Sequence, residues 1–472
     1  MRSLRSLLAV PCALACAGLA CGGVASTTLA PPATAPPAPT VTSSPWPATN
    51  EFGVRYCLYD PVAPQAGPPI PFAGPPGTPT PYPTSTLPGG APVDSEGRAR
   101  QLEVFQGLWN AVNDNYVDPG FNGQDWEAIR NRYEALVEGE LSDEAFYAVL
   151  QAMVKELGDE HSYYQSPAEV EDEARAVAGR LDFVGIGMLA TNAANGGAVV
   201  IIVFPNGPAA ESGLLPHDTI LTVDGGPPRD EAGISRTLGP EGTPVTLTVR
   251  TPGGTPREIT VTRRRVTGGL PVDSCLVPGT RLGYVMLPTF LDETIDDQLR
   301  EALMAMTAGG PLHGLILDNR MNGGGLGSVA EASLGMFVGG EQGAFVTRGT
   351  REELVVEAED IGGSQTVPLV VLVGPDTVSY GEIFSGIMQR SGRATVVGQA
   401  TLGNVEQLRR FDFTDGSRAW IASATYEPSG LPAGIWEDSG IVPETLVSGN
   451  WDEFREANDP GLAAAVKILL AR

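Results

Sequence analysis

The chain has 472 residues and a formal net charge of −26, from 56 Asp and Glu against 30 Lys and Arg. That balance argues against nucleic-acid binding and against adhesion to anionic lipid, since the field around the molecule repels polyanions. The length allows two or three domains, and composition divides the chain before any motif does.

Residues 1–20 place Arg2 and Arg5 ahead of an apolar run from Leu7 to Ala20. The run is too short to anchor stably in a bilayer and reads as a secretory signal peptide. Gly18-Leu-Ala-Cys21 resembles a bacterial lipobox, so Cys21 is the expected lipidation site, with Cys16 as the rival and plain cleavage as the alternative. The expected location is therefore outside the cytoplasm, on the extracellular or periplasmic face of the membrane, with a lipid anchor as the only membrane contact. Residues 21–97 are rich in Pro, Thr, Ala and Gly and read as a disordered tether, partly polyproline. Its exception is Asn50-Glu-Phe-Gly-Val-Arg-Tyr-Cys57-Leu-Tyr, apolar enough to dock on the body. Beyond the leader only Cys57 and Cys275 remain besides Cys21; a disulfide and two free thiols both fit.

Residues 98–180 carry helical spacing. Leu102, Phe105, Trp109, Val112 and Tyr116 form one stripe; Trp126, Ile129, Tyr133 and Leu136 form a second. Ser142-Asp-Glu opens a third helix, which ends at Leu157-Gly-Asp-Glu-His161-Ser162. Over residues 181–268 the period shifts to strands, among them Ala198-Val-Val-Ile-Ile-Val-Phe and Val245-Thr-Leu-Thr-Val. Here Phe183-Val-Gly185-Ile186-Gly187-Met188 resembles the carboxylate-binding loop of a PDZ domain, and the stretch from Gly207 to Gly225 looks like its helix and following strand. His217, in place of a common glycine, is expected at a surface turn. Such a groove takes an extended chain end as an added strand; the alternative is a PDZ-like lid with no ligand.

Residues 269–472 alternate strands with helices, the pattern of an α/β layered core. Val367-Pro-Leu-Val-Val-Leu-Val-Gly-Pro-Asp-Thr-Val-Ser379-Tyr-Gly-Glu382 is an apolar strand, a turn and a helix start with a lone hydroxyl at the junction. Leu315-Ile-Leu-Asp318-Asn-Arg320-Met-Asn322-Gly-Gly-Gly325 repeats that grammar. A helix N-terminus aims free N–H groups at the elbow, and a nucleophile beside an anion nest is what acyl transfer needs. Two other chemistries are set aside: the cysteines lack metal spacing, so no metal is expected, and the triple glycine lacks the Lys of a phosphate loop.

Helices, PDZ-like module, Asp318-x-Arg320-x-Asn322-x-Gly-Gly and Thr-x-Ser379-x-x-Glu382, in that order, resemble the carboxyl-terminal processing (tail-specific) proteases. The resemblance implies an α/β crotonase-like protease core with an N-terminal helical domain and an inserted β-rich PDZ-like domain. It further implies peptide-bond hydrolysis by Ser379, an oxyanion hole from the N–H groups of Gly324 and Tyr380, a polypeptide as substrate and no cofactor. Gly185, Ile186, Gly187 and Met188 would hold the substrate's carboxyl end; Asp318 and Arg320 read as a structural ion pair.

One part of the pattern is missing. The common branch of the family activates its serine with a lysine in a Thr-x-Gly-Lys-Gly turn, and Thr401-Leu-Gly403-Asn404-Val-Glu406 has Asn404 there. Lys155 and Lys467, the chain's only lysines, lie outside the catalytic segment, which excludes a Ser–Lys dyad. The tricorn-like branch pairs serine with histidine and glutamate, and His161 and Glu437 match its motifs. The expected set is Ser379 as nucleophile, His161 as base and Glu437 orienting either His161 or the substrate, with Glu382 and Asn404 in support and the roles of Glu406 and Gln407 open. The alternative for His161 is a structural role, as the same His-Ser pair has in the lysine-dependent branch. An imidazole with pKa about 6.5 is mostly neutral at pH 7. The rival expectation, motivated by Asn404, is an inactive pseudoprotease that binds peptides; a third is an apolar-ligand binder of retinoid type.

Overall fold

A computed structural model describes residues 49–62 and 87–472, except 160, 194–195, 231–233 and 438. The leader, Cys21 and most of the tether lie outside the described residues.

Aspartate and serine caps start the helices where the apolar stripes begin. Asp94 accepts from Gly97 N–H ahead of Ser95–Asn115, Asp125 from Ala128 ahead of Trp126–Val137, and Ser142 from Ala145 ahead of Asp143–Lys155. The inward faces of these helices close over Ala419, Ile421 and Ala422 of the long strand Arg418–Pro428. The helical region is not wholly helical: Tyr163–Gln165 is a strand that pairs antiparallel with the start of Arg418–Pro428. That pairing fastens the chain just after His161 to the core.

The core is a seven-stranded sheet in the order Arg55–Tyr56, Asp273–Leu276, Leu282–Met286, Gly314–Asp318, Leu369–Val373, Thr395–Gly398, Thr445–Leu446. Five of its six pairings are parallel, and its central strands are buried on both faces, as continuous Leu-Ile-Val runs require. Helices Ile295–Thr307, Gly327–Gly335 and Tyr380–Arg390 cover one face; Pro460–Leu470 packs on the other. A second sheet, Arg351–Val356, Gly340–Val346, Arg418–Pro428, Gln407–Asp412, leans on the helical region.

Tyr56 and its neighbours do not belong to a free tether. Cys57 and Cys275 are joined in a disulfide, and Arg55 pairs with Asp273 and Glu456. Together they hold Arg55–Tyr56 as a parallel edge strand, which settles the thiol question left open by the sequence. The disulfide also removes both thiolates from the only cluster of metal-ligating side chains among the described residues, Cys57, Cys275 and Glu456.

The β-rich module has a five-stranded antiparallel sheet, Met188–Asn192, Ala198–Val203, Thr219–Val223, Pro244–Arg250, Arg257–Thr262, and a two-stranded ribbon, Leu181–Gly185 with Arg264–Gly268. His217 is in a turn, as its φ of 73° fits, but it is not at the surface. It is buried, stacks on Trp451 at 4.1 Å, and its Nδ1 is 2.8 Å from the Trp451 carbonyl. Burial pushes its pKa down to about 4, so it is neutral. Trp451 Nε1–H donates to the Val200 carbonyl in return, fastening the module to the C-terminal segment.

Candidate active site

Parallel pairing of Gly314–Asp318 with Leu369–Val373 brings the ends of both strands to one edge. Beyond the first lies the glycine turn, beyond the second the Ser379 elbow. Thr377 stitches them: its hydroxyl donates to the Asn319 carbonyl and accepts from Gly374 N–H. Asp318 and Arg320 form the expected ion pair; Arg320 continues to Asp459 and lies over Trp451, while Asp318 accepts from Tyr284.

Ser379 has φ 56° and ψ −127°, a conformation that costs an L residue about 1–3 kcal/mol and throws its side chain off the strand direction. Its N–H donates to the Asn404 carbonyl at 2.8 Å. Helix Tyr380–Arg390 starts at once, and Tyr380 N–H has no acceptor among the described residues. Gly324 is packed so close that a Cβ there would fall 2.7 Å from Ser379 Cβ. Its N–H, however, is not free: it donates to Asn322 Oδ1 at 2.9 Å. Of the two expected oxyanion donors, only Tyr380 is thus available in this geometry. The Asx turn that shapes the glycine loop engages the other.

Glu382 is fully buried and accepts from Thr401 Oγ1, Gly403 N–H, Asn404 N–H and Ser379 N–H. Burial raises its carboxyl pKa, and these donors oppose the rise. It is the staple between the elbow and the 401–404 turn. Glu382→Gln keeps the size but turns an NH2 toward N–H donors; the expected cost is about 3 kcal/mol, read by denaturant unfolding.

His161 follows Gly158, the left-handed residue that ends its helix. Asp159 Oδ1 accepts from Ser162 N–H, Oδ2 accepts from Ser162 Oγ–H, and Ser162 Oγ accepts from Ala422 N–H, so the loop is moored to Arg418–Pro428. The His161 ring is buried. Its Nε2 is 3.1 Å from Glu437 Oε1 and 3.7 Å from Glu406 Oε2. Burial lowers its pKa, but the Glu437 hydrogen bond and the charges of Glu406, Glu437 and Asp159 outweigh that and push it up to about 9. The expectation of a neutral imidazole at pH 7 is therefore reversed in the resting state. Glu437 Oε2 accepts from Val405 N–H at 2.9 Å.

The structure joins His161 to Glu437, and Ser379 to Asn404 and Glu382; among the described residues no hydrogen bond joins Ser379 Oγ to His161. Sequence reasoning left Glu406 without a role, and Asp159 unnamed as an anchor. Its short carboxylate two residues before His161 was the available signal.

Residues 281–447 match the family model described as peptidase family S41, and residues 98–155 match that of the tricorn protease C1 domain. The chain is 31% identical over 388 residues to carboxyl-terminal-processing peptidase 2, chloroplastic, of Arabidopsis thaliana, covering 77% of this chain and 72% of that one. With the carboxyl-terminal-processing protease of Synechocystis sp. it shares 30% over 364 residues, covering 75% and 82%. The solved photosystem II D1 C-terminal processing protease has a TM-score of 0.52 at 28% identity, over 75% of this chain and 94% of its own. These relatives make the chain a serine peptidase. It belongs to peptidase family S41, among the carboxyl-terminal-processing proteases.

Proposed function

We propose that the chain is an exported endopeptidase that cleaves extended or carboxyl-terminal segments of polypeptides, with Ser379 as nucleophile, His161 as base and then acid, and Glu437 as the group that orients His161. One observation carries this reading. The peptide unit between Asn404 and Val405 accepts from Ser379 N–H through its carbonyl and donates to Glu437 Oε2 through its N–H, while Glu437 holds His161. The elbow and the His–Glu pair are thus fixed to opposite edges of one peptide plane. Asn404 cannot take a proton as the family's lysine does; its backbone supplies the bridge instead.

In this account Ser379 Oγ attacks the scissile carbonyl as its proton passes to neutral His161. The developing oxyanion meets Tyr380 N–H at the start of helix Tyr380–Arg390, where the helix dipole favours negative charge. Gly324 joins it only by releasing Asn322 Oδ1. His161 then protonates the leaving amine, and water, deprotonated by the same histidine, resolves the acyl-enzyme.

The core's parallel sheet with paired glycine turn and elbow supports a crotonase-like assignment, and the module at 181–268 supports a PDZ-like one. Ile186 and Gly187 lie between Leu181–Gly185 and the edge strand Met188–Asn192, and among the described residues neither N–H has an acceptor. That suits capture of a chain-terminal carboxylate beside a strand free to accept another. The Cys57–Cys275 disulfide supports an oxidising compartment and hence export. The pseudoprotease reading draws on Asn404 and on the unjoined Ser379 and His161.

The test is hydrolysis of an unstructured polypeptide of defined sequence at pH 9, with its carboxyl end free or amidated. Cleavage is expected, with KM about tenfold higher for the amide, the effect of one lost charge-assisted contact. Absence of cleavage for both substrates contradicts the peptidase reading; equal KM values remove the carboxylate loop from it.

A further inference from the structure

We propose that Glu406 is a positioning residue for the reaction. Its carboxylate and that of Glu437 hold the protonated His161 ring by a single nitrogen, and the ring cannot take the Ser379 proton until its own extra proton is lost. The inference rests on the Ser379–His161 reading and assigns a device within it.

Glu437 Oε1 and Glu406 Oε2 converge on His161 Nε2 at 3.1 and 3.7 Å, with the ring and both carboxylates largely shielded from solvent. Two ionised carboxylates brought this close repel each other unless a positive charge lies between them. The imidazolium is that charge. Of the other titratable groups facing the cluster, Asp159 on the histidine's own loop adds to the demand for it. The Tyr116 phenol at the end of the first helix, its pKa raised by burial and by Asp159 and Glu406, stays neutral and adds no charge. Among the described residues neither Glu437 nor Asp159 has a lysine or arginine ion pair that could replace the histidine's charge.

The two glutamates are not equivalent. Glu437 has a second task, accepting from Val405 N–H, and sits at hydrogen-bond distance from the ring. Glu406 stands at ion-pair distance, one residue beyond the bridging peptide unit, and contributes charge where Glu437 contributes direction. Removing the Glu406 charge should therefore release the proton at lower pH while leaving the ring oriented. That separation gives it a role Glu437 cannot fill alone.

The test is ring-nitrogen NMR titration of 15N-histidine-labelled full chain, where His161, His217 and His313 are the only signals, with hydrolysis rates measured alongside. The expected His161 midpoint is about 9 in the unmodified chain. Glu406→Gln should lower it by at least about one unit, raising the rate at pH 7 about tenfold by increasing the neutral fraction. Glu406→Asp, which keeps the charge, should return the midpoint toward the original and guards against a folding defect in the first variant. A Glu406→Gln midpoint unchanged in a folded protein overturns the proposal, as does an unmodified midpoint near 6.5. A shifted midpoint with no hydrolysis by any form supports the clamp and overturns the peptidase reading beneath it.

Discussion

Replacing Ser379 by alanine is expected to lower kcat by about ten-thousandfold or more, the size of effect seen when a covalent nucleophile is deleted. The fold should not suffer. The Ser379 backbone N–H holds Asn404 and Glu382, and alanine keeps that N–H, losing only the hydroxyl's share of the capping box at the helix start. Alanine also bears the same φ of 56° at the same cost, so the elbow is retained. Hydrolysis of an unstructured polypeptide and the unfolding midpoint, measured on one preparation, check both halves. A variant that keeps a tenth of the rate would contradict Ser379 as nucleophile.

The second large effect is in pH. With His161 at about 9, only about one molecule in a hundred carries a neutral imidazole at pH 7. The rate limited by that base should rise about a hundredfold from pH 7 to an alkaline plateau, with its midpoint near the histidine's own. Stability runs the other way. The folded pKa is above the unfolded value of about 6.5, so the His161 contribution is fully present below about 6.5 and lost as pH rises toward 9. Activity and stability should therefore trade against each other across that window. Rate profiles and denaturant unfolding at matched pH measure the trade. A rate already at its plateau by pH 7 would contradict the resting geometry around His161.

Much of this was legible in residues that speak locally. An apolar run ending in Gly-Pro-Asp-Thr-Val-Ser379-Tyr can only be a strand, a turn and a helix start, and the spacing of Glu382 places its carboxylate back over that start. The helical stripes likewise needed no distant partner. What stayed hidden depends on contacts that no local window contains. Arg55–Tyr56 is too short for periodicity and is a strand because a disulfide and two ion pairs hold it. His217 looked like a turn residue and is one, but its burial is decided by Trp451, 234 positions later. The protonation of His161 likewise depends on Glu437, 276 positions away, and on Glu406. The match to the tricorn-like branch named His161 as the candidate base and Glu437 as its partner; it could not say that Glu406 would face the same ring nitrogen. The engagement of the Gly324 N–H at rest was missed for the opposite reason: its acceptor, Asn322, is two residues away, and the family pattern drew attention past it.

The central claim is that His161 activates Ser379. The most direct test is covalent labelling of the full chain by a fluorophosphonate, with the adduct mapped by mass spectrometry across pH 6–10 in the unmodified, Ser379→Ala and His161→Ala forms. The account predicts an adduct on Ser379, a labelling rate that rises with a midpoint near 9, no label in the serine variant, and loss of label in a folded histidine variant. Labelling that persists without His161 would assign the base to another group, and no labelling of the unmodified chain at any pH would make it a peptide-binding relative of the proteases it resembles.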